Sequence, residues 1–257
     1  MKPFKKPYKI ALAGGLSATA LGLAAAAAAD SARRWRGAKP LSHLDWAAAG
    51  LGAGACFAML YYPPYARRGT EVNTVYLTFD DGPDPMSTPA VLDALERYSA
   101  RATFFVLGAA AREHPDLIRA IAERGHAIGV HGYTHDGVTL QGMGRIDHDL
   151  GTALNAIRVA SDTSVKLYRP PYGLRGPALA CALRRRALRM QLWSLNSYDY
   201  LYQAAAPLAE RLHTRLQSGD IVLLHDAGET GRATAAALPS ILTDILSRGW
   251  RSECLDK

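Results

Sequence analysis

Two short clusters of polar residues contain the side chains that could do chemistry. In the first, an apolar run ends at two adjacent carboxylates, Asp80 and Asp81, which a Gly-Pro turn follows. In the second, His131 and His135 are four residues apart, so one helical turn would direct both imidazoles to the same side. Two histidines and one aspartate are the protein ligands typical of a catalytic zinc site, which keeps a position open for water. Because the other carboxylate would then be free to act as a base, the pattern predicts a metal-dependent hydrolase.

Each cluster also has a simpler structural interpretation. Asp, Gly and Pro are common turn residues, so residues 80–83 could merely end a strand. The two histidines could lie on a solvated helix face, and His225 could be a buried core histidine at the end of an apolar strand. The functional interpretation therefore depends on these residues occurring together in one fold.

From about residue 70 onward, short apolar segments alternate with segments of helical spacing. The predicted strands are residues 75–79, 102–106, 127–130, 165–168, 190–195 and 221–224. The predicted helices are residues 88–98, 115–124, 146–159, 177–187, 208–216 and 239–248. This alternation favours an α/β fold of parallel strands and crossover helices, closed or nearly closed into a barrel. In such barrels the catalytic groups gather at the carboxyl ends of the strands, which is where the predicted elements place both clusters.

The first seventy residues have a different composition. Residues 10–29 carry no charge and, at about 1.5 Å per residue, just span a hydrocarbon core of about 30 Å. The small residues before Asp30 equally allow a cleaved signal peptide. A second uncharged run, residues 46–62, has aromatic residues at its ends that suit the headgroup level, although either run could be a buried core helix. We predict two N-terminal hydrophobic helices in a membrane-anchoring region, residues 1–69, before a catalytic domain, residues 70–257.

The basic balance of the chain does not indicate nucleic-acid binding. The formal net charge is +7, but much of the excess lies beside the two hydrophobic runs, which is typical of membrane proteins. A basic stripe interleaved with aromatic residues is missing from the sequence. The three cysteines, Cys56, Cys181 and Cys254, neither support nor exclude an oxidising compartment. The sequence shows no sign of a protein partner.

Four motifs, in this order along the chain, resemble those of polysaccharide deacetylases of the NodB-homology type. They are TFDDGP at 78–83, HGYTH at 131–135, RPPYG at 169–173 and VLLHD at 222–226. The resemblance covers roughly residues 72–257 and leaves the N-terminal runs aside. It implies the distorted (β/α) barrel of that family. The implied activity is metal-dependent removal of N-acetyl groups from an amino sugar, in a cell-envelope polysaccharide or an oligosaccharide.

The family's metal and base can be carried over to matching positions. The resemblance implies that Asp80 is the general base. It implies that Asp81, His131 and His135 hold one divalent metal, most readily zinc, although cobalt or manganese could substitute. Arg169 would pair with Asp80 and keep it ionised and aligned.

The opposite side of the site follows from the later motifs. The resemblance implies that His225 protonates the leaving amine and that Asp199 is its partner. A backbone N–H near Tyr172 would polarise the acetamide carbonyl, and Tyr200 would stand where the family more often has Trp, as a wall of the sugar groove.

Two positions depart from the family pattern without removing a proposed catalytic group. Gly132 replaces the usual Ser or Thr after the first metal histidine, and Asn196 stands where a supporting aspartate is common. A second hypothesis keeps the metal chemistry but acts on a lipid-linked sugar or a small amide, by deformylation or deacetylation. A third, a non-catalytic carbohydrate-binding module, would predict a lost ligand, base or acid.

The location of the domain follows from two observations that disagree. If both hydrophobic runs span, six lysines and arginines on the outer flanks against four between the runs favour a cytoplasmic domain. The resemblance to enzymes of exported polymers favours the other side. We expect a bacterial inner-membrane protein whose catalytic domain faces the periplasm. This topology requires either an N-terminus outside the cytoplasm, or a single spanning helix with the second run lying at the membrane interface.

Overall fold

The computed structural model describes Gly69 and residues 71–136, 142–202 and 204–255. All of them belong to one compact unit, Pro64–Lys257. Both predicted hydrophobic runs, residues 10–29 and 46–62, lie outside the described residues, so the predicted domain boundary stays a prediction. Within the described ranges, no helix combines the length and apolar character needed to cross a membrane.

Parallel strands form one sheet in the described part of the chain. The strands are β1 (Thr74–Asp80), β2 (Ala102–Val106), β3 (Ala127–Val130), β4 (Leu167–Tyr168), β5 (Arg189–Met190), β6 (Leu195–Asn196), β7 (Ile221–His225) and β8 (Arg251–Ser252). Their spatial order is β5-β4-β3-β2-β1-β7-β6, and β8 pairs with the start of β1. The path ends at β5 and β6, so the barrel is open between these two short strands.

Helices connect the strands and cover the sheet. They are α1 (Thr88–Arg97), α2 (Gly108–Glu113), α3 (Pro115–Glu123), α4 (Met143–Ala160), α5 (Pro177–Arg185), α6 (Ala205–Arg215) and α7 (Gly228–Ser247). Two single 3₁₀ turns, Pro171–Gly173 and Asp199–Leu201, follow β4 and β6. Helices lie between most of the strands because a connection between parallel strands must run from the carboxyl end of one strand back to the amino end of the next.

Strand β1 is the centre of the fold. All seven of its residues are buried, and it pairs with β2 on one side and β7 on the other. A strand covered on both sides and both faces reads as a continuous apolar run, which is why the sequence identifies it. The register pairs Asp80 with Phe105 on β2 and with His225 on β7. Two of the predicted site residues are therefore brought side by side by hydrogen bonding between strands.

The predicted elements are confirmed in most of the domain, but several differ from the structure. The helix predicted over 239–248 begins eleven residues earlier, because α7 spans Gly228–Ser247. The strand expected over 190–195 is two strands, β5 and β6, which pair at opposite ends of the sheet path. Helix α2 and strand β8 were missed. The sequence of α2, GAAARE, is short and has no apolar periodicity, and β8 has only two residues, so neither leaves a signal in the sequence.

Candidate active site

A cavity of about 540 Å³ opens at the carboxyl ends of the strands. It has the size and placement typical of a ligand site in an α/β barrel. Seven of the residues predicted from the sequence line it: Asp80, Asp81, His131, His135, Tyr172, Tyr200 and His225. The other two, Arg169 and Asp199, are fully buried behind this lining.

The two carboxylates are presented by a tight turn at the end of β1. Asp81 has a φ of +76°, and the Gly82-Pro83 peptide is cis. The turn packs against the buried carboxyl of Asp226. The approach is so close that a Cβ on Gly82 would lie 2.3 Å from Oδ1 of Asp226. The hydroxyl of Thr88 donates to the other oxygen at 2.6 Å. Sequence reasoning assigned no role to Asp226 or Thr88, which support the turn from behind.

Burial sets the protonation of the Asp226 carboxyl. It raises the pKa of Asp226 to about 7, and the negative charges of Asp81 and Asp80 act in the same direction. A glycine at position 82 is required because the chain passes within contact distance of this carboxyl.

Asp81, His131 and His135 converge on one point. One ligand atom from each lies within 4.8 Å of the other two. Oδ1 of Asp81 is 3.4 Å from Nε2 of His131 and 3.3 Å from Nε2 of His135. This Oδ1 is buried and has no hydrogen-bond partner among the described residues. A buried carboxylate oxygen without a hydrogen-bond partner, facing two imidazole nitrogens, fits a divalent cation. The carboxylate and both imidazoles are common ligands of such a cation.

The tautomer of His131 also fits a metal ligand. Nδ1 of His131 lies 2.7 Å from the main-chain carbonyl oxygen of Arg169. Because a carbonyl can only accept, Nδ1 carries the proton and Nε2 has its lone pair free. Burial lowers the pKa of His131 to about 3, so the ring is neutral at physiological pH.

The expected helical turn through the two histidines is wrong. Residues 131–136 form a loop after β3, and His135 has a φ of +59°. The imidazole rings nevertheless lie 5.1 Å apart. The spacing of four residues therefore brings the rings together by a bend of the loop and not by helical geometry.

Asp80 is paired with Arg169 inside the barrel. Nη1 of Arg169 donates to Oδ1 of Asp80 at 2.8 Å and to the hydroxyl of Thr78 at 2.7 Å. Its Nε and Nη2 donate to the carbonyls of Gln191 and Leu192, both at 3.1 Å. Burial raises the pKa of Asp80 above its ordinary value, while the charge and hydrogen bond of Arg169 act in the opposite direction. The guanidinium thus makes one hydrogen bond to the carboxylate of Asp80, and three further hydrogen bonds hold it in place.

His225 is paired with Asp199 across the cavity. Nδ1 of His225 lies 2.8 Å from Oδ1 of Asp199, and the His225 main-chain N–H donates to Oδ2 at 2.7 Å. The hydroxyl of Thr234, which sequence reasoning missed, also donates to Oδ2, at 3.0 Å. Burial alone would lower the pKa of His225, but the hydrogen bond and charge of Asp199 outweigh it and raise the pKa to about 9. Since Nδ1 is engaged, Nε2 is the nitrogen left to exchange a proton with a ligand in the cavity.

Two tyrosines stand at the mouth of the cavity. Tyr172 is 63% exposed, has a φ of +59° in the turn after β4, and packs edge-to-face on His135 at 4.5 Å. Tyr200 is half-exposed and packs edge-to-face on His225 at 5.9 Å. Of the two tyrosines predicted to contact the sugar, one therefore packs on a predicted metal ligand and the other on the predicted acid.

Comparison with known proteins identifies the family. The profile of the Polysaccharide deacetylase family matches residues 67–190. A chitooligosaccharide deacetylase from Sinorhizobium fredii is 35% identical over 167 residues, which are 65% of this chain and 78% of that protein. The chain belongs to the polysaccharide deacetylase family. A peptidoglycan-N-acetylglucosamine deacetylase from Bacillus cereus is 34% identical over 182 residues, 69% of this chain and 84% of that protein.

A solved relative extends the likeness to three dimensions. A family 4 carbohydrate esterase from Streptomyces lividans, in complex with acetate, superimposes with a TM-score of 0.65 at 32% identity. The match covers 71% of this chain and 93% of that structure. Family membership confirms the predicted (β/α) barrel and the predicted enzyme class. The roles of the individual site residues stay predictions.

Proposed function

We propose that this protein is a metal-dependent hydrolase that removes N-acetyl groups from an amino sugar of a polysaccharide or oligosaccharide. The observation that supports this most directly is the convergence of Asp81, His131 and His135 within 4.8 Å. Asp80 and His225, the two groups suited to move protons, line the same cavity. The relatives, named as deacetylases of chitooligosaccharide and of peptidoglycan N-acetylglucosamine, support the substrate class.

The site residues fit zinc, and cobalt or manganese would suit the same ligands. Asp81, His131 and His135 would hold the metal, with the neutral imidazole of His131 already in the tautomer that a metal needs. A divalent metal held there supplies Lewis-acid polarisation of the acetamide carbonyl and lowers the pKa of a water molecule.

The chain's own residues carry the proton transfers. Asp80, whose ionised form is favoured by the charge of Arg169, accepts a proton from the attacking water. His225, held protonated by Asp199, gives its proton to the nitrogen as the C–N bond breaks. The products are acetate and a free amine. The buried position of both partner residues fixes the two reactive groups on either side of the cavity.

The sugar itself is held at the mouth. The rings of Tyr172 and Tyr200 offer exposed apolar faces, which suit the C–H faces of a sugar ring. The main-chain N–H in the Tyr172 turn is proposed to donate to the carbonyl oxygen as negative charge develops on it.

Elemental analysis of the purified full-length protein tests the metal assignment. We expect about one equivalent of zinc, and loss of most of it in the double variant His131→Ala, His135→Ala. His213→Ala, at an exposed histidine of α6 that pairs with Asp244 of α7, is the matched control and should keep its metal. Full metal content in the double variant would contradict the assignment.

A substrate panel separates the alternative functions. Chitooligosaccharides, peptidoglycan fragments, lipid-linked sugars and small N-acyl amides would be assayed for released acetate or formate. Acetate from the oligosaccharides supports the proposal. Turnover confined to lipid-linked sugars or small amides would favour the second hypothesis, and sugar binding without any turnover by the zinc-loaded protein would favour a non-catalytic module.

We propose that the enzyme is held at the bacterial inner membrane with its catalytic domain in the periplasm. The uncharged runs 10–29 and 46–62 with their basic flanks support attachment to a membrane. The class of envelope polymers on which such deacetylases act supports the periplasmic side, against the small excess of flanking charge that favours the cytoplasm. A C-terminal alkaline phosphatase fusion tests it, since that enzyme needs an oxidising compartment for its disulfides. An inactive fusion, with a cytoplasmic reporter active at the same joint, would place the domain inside the cell.

A further inference from the structure

The loop that carries the two metal histidines depends on contacts from outside itself. Residues 131–136 form neither helix nor strand, so regular hydrogen bonding does not fix them. Two bonds come from the first turn of α2: the N–H of Gly108 donates to the carbonyl of Gly132 at 2.9 Å, and that of Ala109 to the carbonyl of Tyr133 at 3.0 Å. These bonds hold the carbonyl side of the loop from one direction.

The opposite side of the loop is held by a carboxylate on α4. The main-chain N–H of Tyr133 lies 3.2 Å from both oxygens of Asp149. Asp149 is only 9% exposed, and burying a carboxylate is costly unless its hydrogen bonds are satisfied. Because an N–H bond to an ionised group is stronger than one between neutral groups, this contact is the strongest candidate for fixing the Tyr133 peptide.

Gly132 allows the loop to come this close to α4. It has a φ of +87°, a conformation that side chains disfavour, and a Cβ there would lie 3.2 Å from Oδ2 of Asp149. A side chain at this position would therefore require the loop or the Asp149 carboxylate to shift by a few tenths of an ångström. Gly132 also has no side chain of its own with which to steady the loop, so this task falls to Asp149.

We propose that Asp149 is a positioning residue for the metal centre, which holds the Tyr133 peptide so that the loop presents His135 to the metal. The bonds from α2 are made by main chain and survive most substitutions. The Asp149 contact is made by a side chain and can be removed without touching a metal ligand. Partners that orient metal-binding histidines affect metal affinity even though they never touch the ion.

Zinc affinity of the full-length protein, measured by competition with a chromophoric chelator, tests this role. We expect Asp149→Ala to raise the Kd for zinc by about 10- to 100-fold, and Asp149→Asn, which keeps an acceptor oxygen, to have a smaller effect. Asp147→Ala is the matched control, because it removes an aspartate from the same helix that pairs with Arg185 instead of the loop. The control should bind zinc like the wild type.

Deacetylase activity gives a second readout that a purely structural role would not produce. Asp149→Ala should be nearly inactive at limiting zinc and recover most of its kcat at saturating zinc. An unchanged Kd in Asp149→Ala, or an equal loss in Asp147→Ala, would overturn the proposal. If Asp149→Ala does not fold, hydrogen exchange of the wild-type and Asp149→Asn proteins decides. We expect the Tyr133 amide to be protected in the metal-free wild type, and rapid exchange there would equally overturn the proposal.

Discussion

The two sides of the cavity use the same kind of ion pair in opposite ways. On one side Arg169 is fully buried and the carboxylate of Asp80 meets the cavity. On the other side Asp199 is fully buried and the imidazole of His225 meets the cavity. The member that does not line the cavity is the cation in the first pair and the anion in the second.

In the proposed mechanism, this reversal suits one side to accept a proton and the other to donate one. A permanently charged guanidinium beside Asp80 favours the ionised carboxylate, the form that accepts a proton. A buried carboxylate beside His225 favours the imidazolium, the form that donates one, and raises its pKa to about 9. In the proposed mechanism, the proton transfer on each side therefore depends on which partner the fold keeps away from the cavity.

Removing the proton acceptor should have the largest effect. Asp80→Asn keeps the shape and the hydrogen bond from Arg169 but cannot accept a proton. We expect kcat to fall by a factor on the order of 10² to 10⁴ with the zinc content unchanged. Asp93→Asn, at an exposed position on α1 paired with Arg124, is the control and should retain full activity. Loss of zinc from Asp80→Asn, with zinc kept by Asp81→Asn, would mean that the two carboxylates have exchanged roles.

Removing the buried cation tests the same side through stability. Arg169→Met leaves the Asp80 carboxylate buried without its counter-charge, and we expect the free energy of unfolding to fall by about 3–5 kcal/mol. Urea denaturation measures this change. In the active fraction, the acid limb of the pH–rate profile should move to higher pH, because Arg169 opposes the rise of the Asp80 pKa. Arg119→Met, at a half-exposed position on α3, should change the unfolding free energy little.

Removing the buried anion tests the other side through its pH dependence. The protonated His225 should be lost as the pH rises through its pKa of about 9, which gives the alkaline limb of the profile. Asp199→Asn removes the charge that raises this pKa, so the alkaline limb should move down toward 6.5, the ordinary value, or below it. An alkaline limb that stays near pH 9 in Asp199→Asn would remove His225 as its origin.

The smallest effect is expected at Thr234. Thr234→Val keeps the volume but deletes one hydrogen bond to Oδ2 of Asp199, which still accepts the N–H of His225. A single bond contributes about 1 kcal/mol, so the alkaline limb should shift by less than about one pH unit. Thr234→Ser keeps the hydroxyl and should behave like the wild type. A shift as large as that of Asp199→Asn would show that the hydroxyl, and not the carboxylate, controls His225.

Local sequence patterns were sufficient for the main elements and for the reactive groups. The run before Asp80 predicts a buried strand because β1 has neighbours on both sides, and the spacing of His131 and His135 predicts adjacent imidazoles. The same spacing suggested a helix that is absent, because two residues with positive φ, Gly132 and His135, bend the loop instead. The spacing of the two histidines therefore predicted that their rings are close, but it did not predict the backbone conformation that brings them together.

The sequence by itself predicted seven of the residues that line the cavity, their order, and the barrel that collects strand ends at one rim. Only the tertiary structure decided which groups stand behind them, namely Thr78, Thr88, Asp149, Asp226 and Thr234. The carboxyl of Asp226, for example, lies against Gly82 in the turn after β1 and accepts a hydrogen bond from Thr88, which is 138 residues earlier in the chain. Such contacts are set by strand register and helix packing, which depend on the whole core at once. A polar residue inside an apolar segment therefore acquires its role only when folding buries it beside a particular partner.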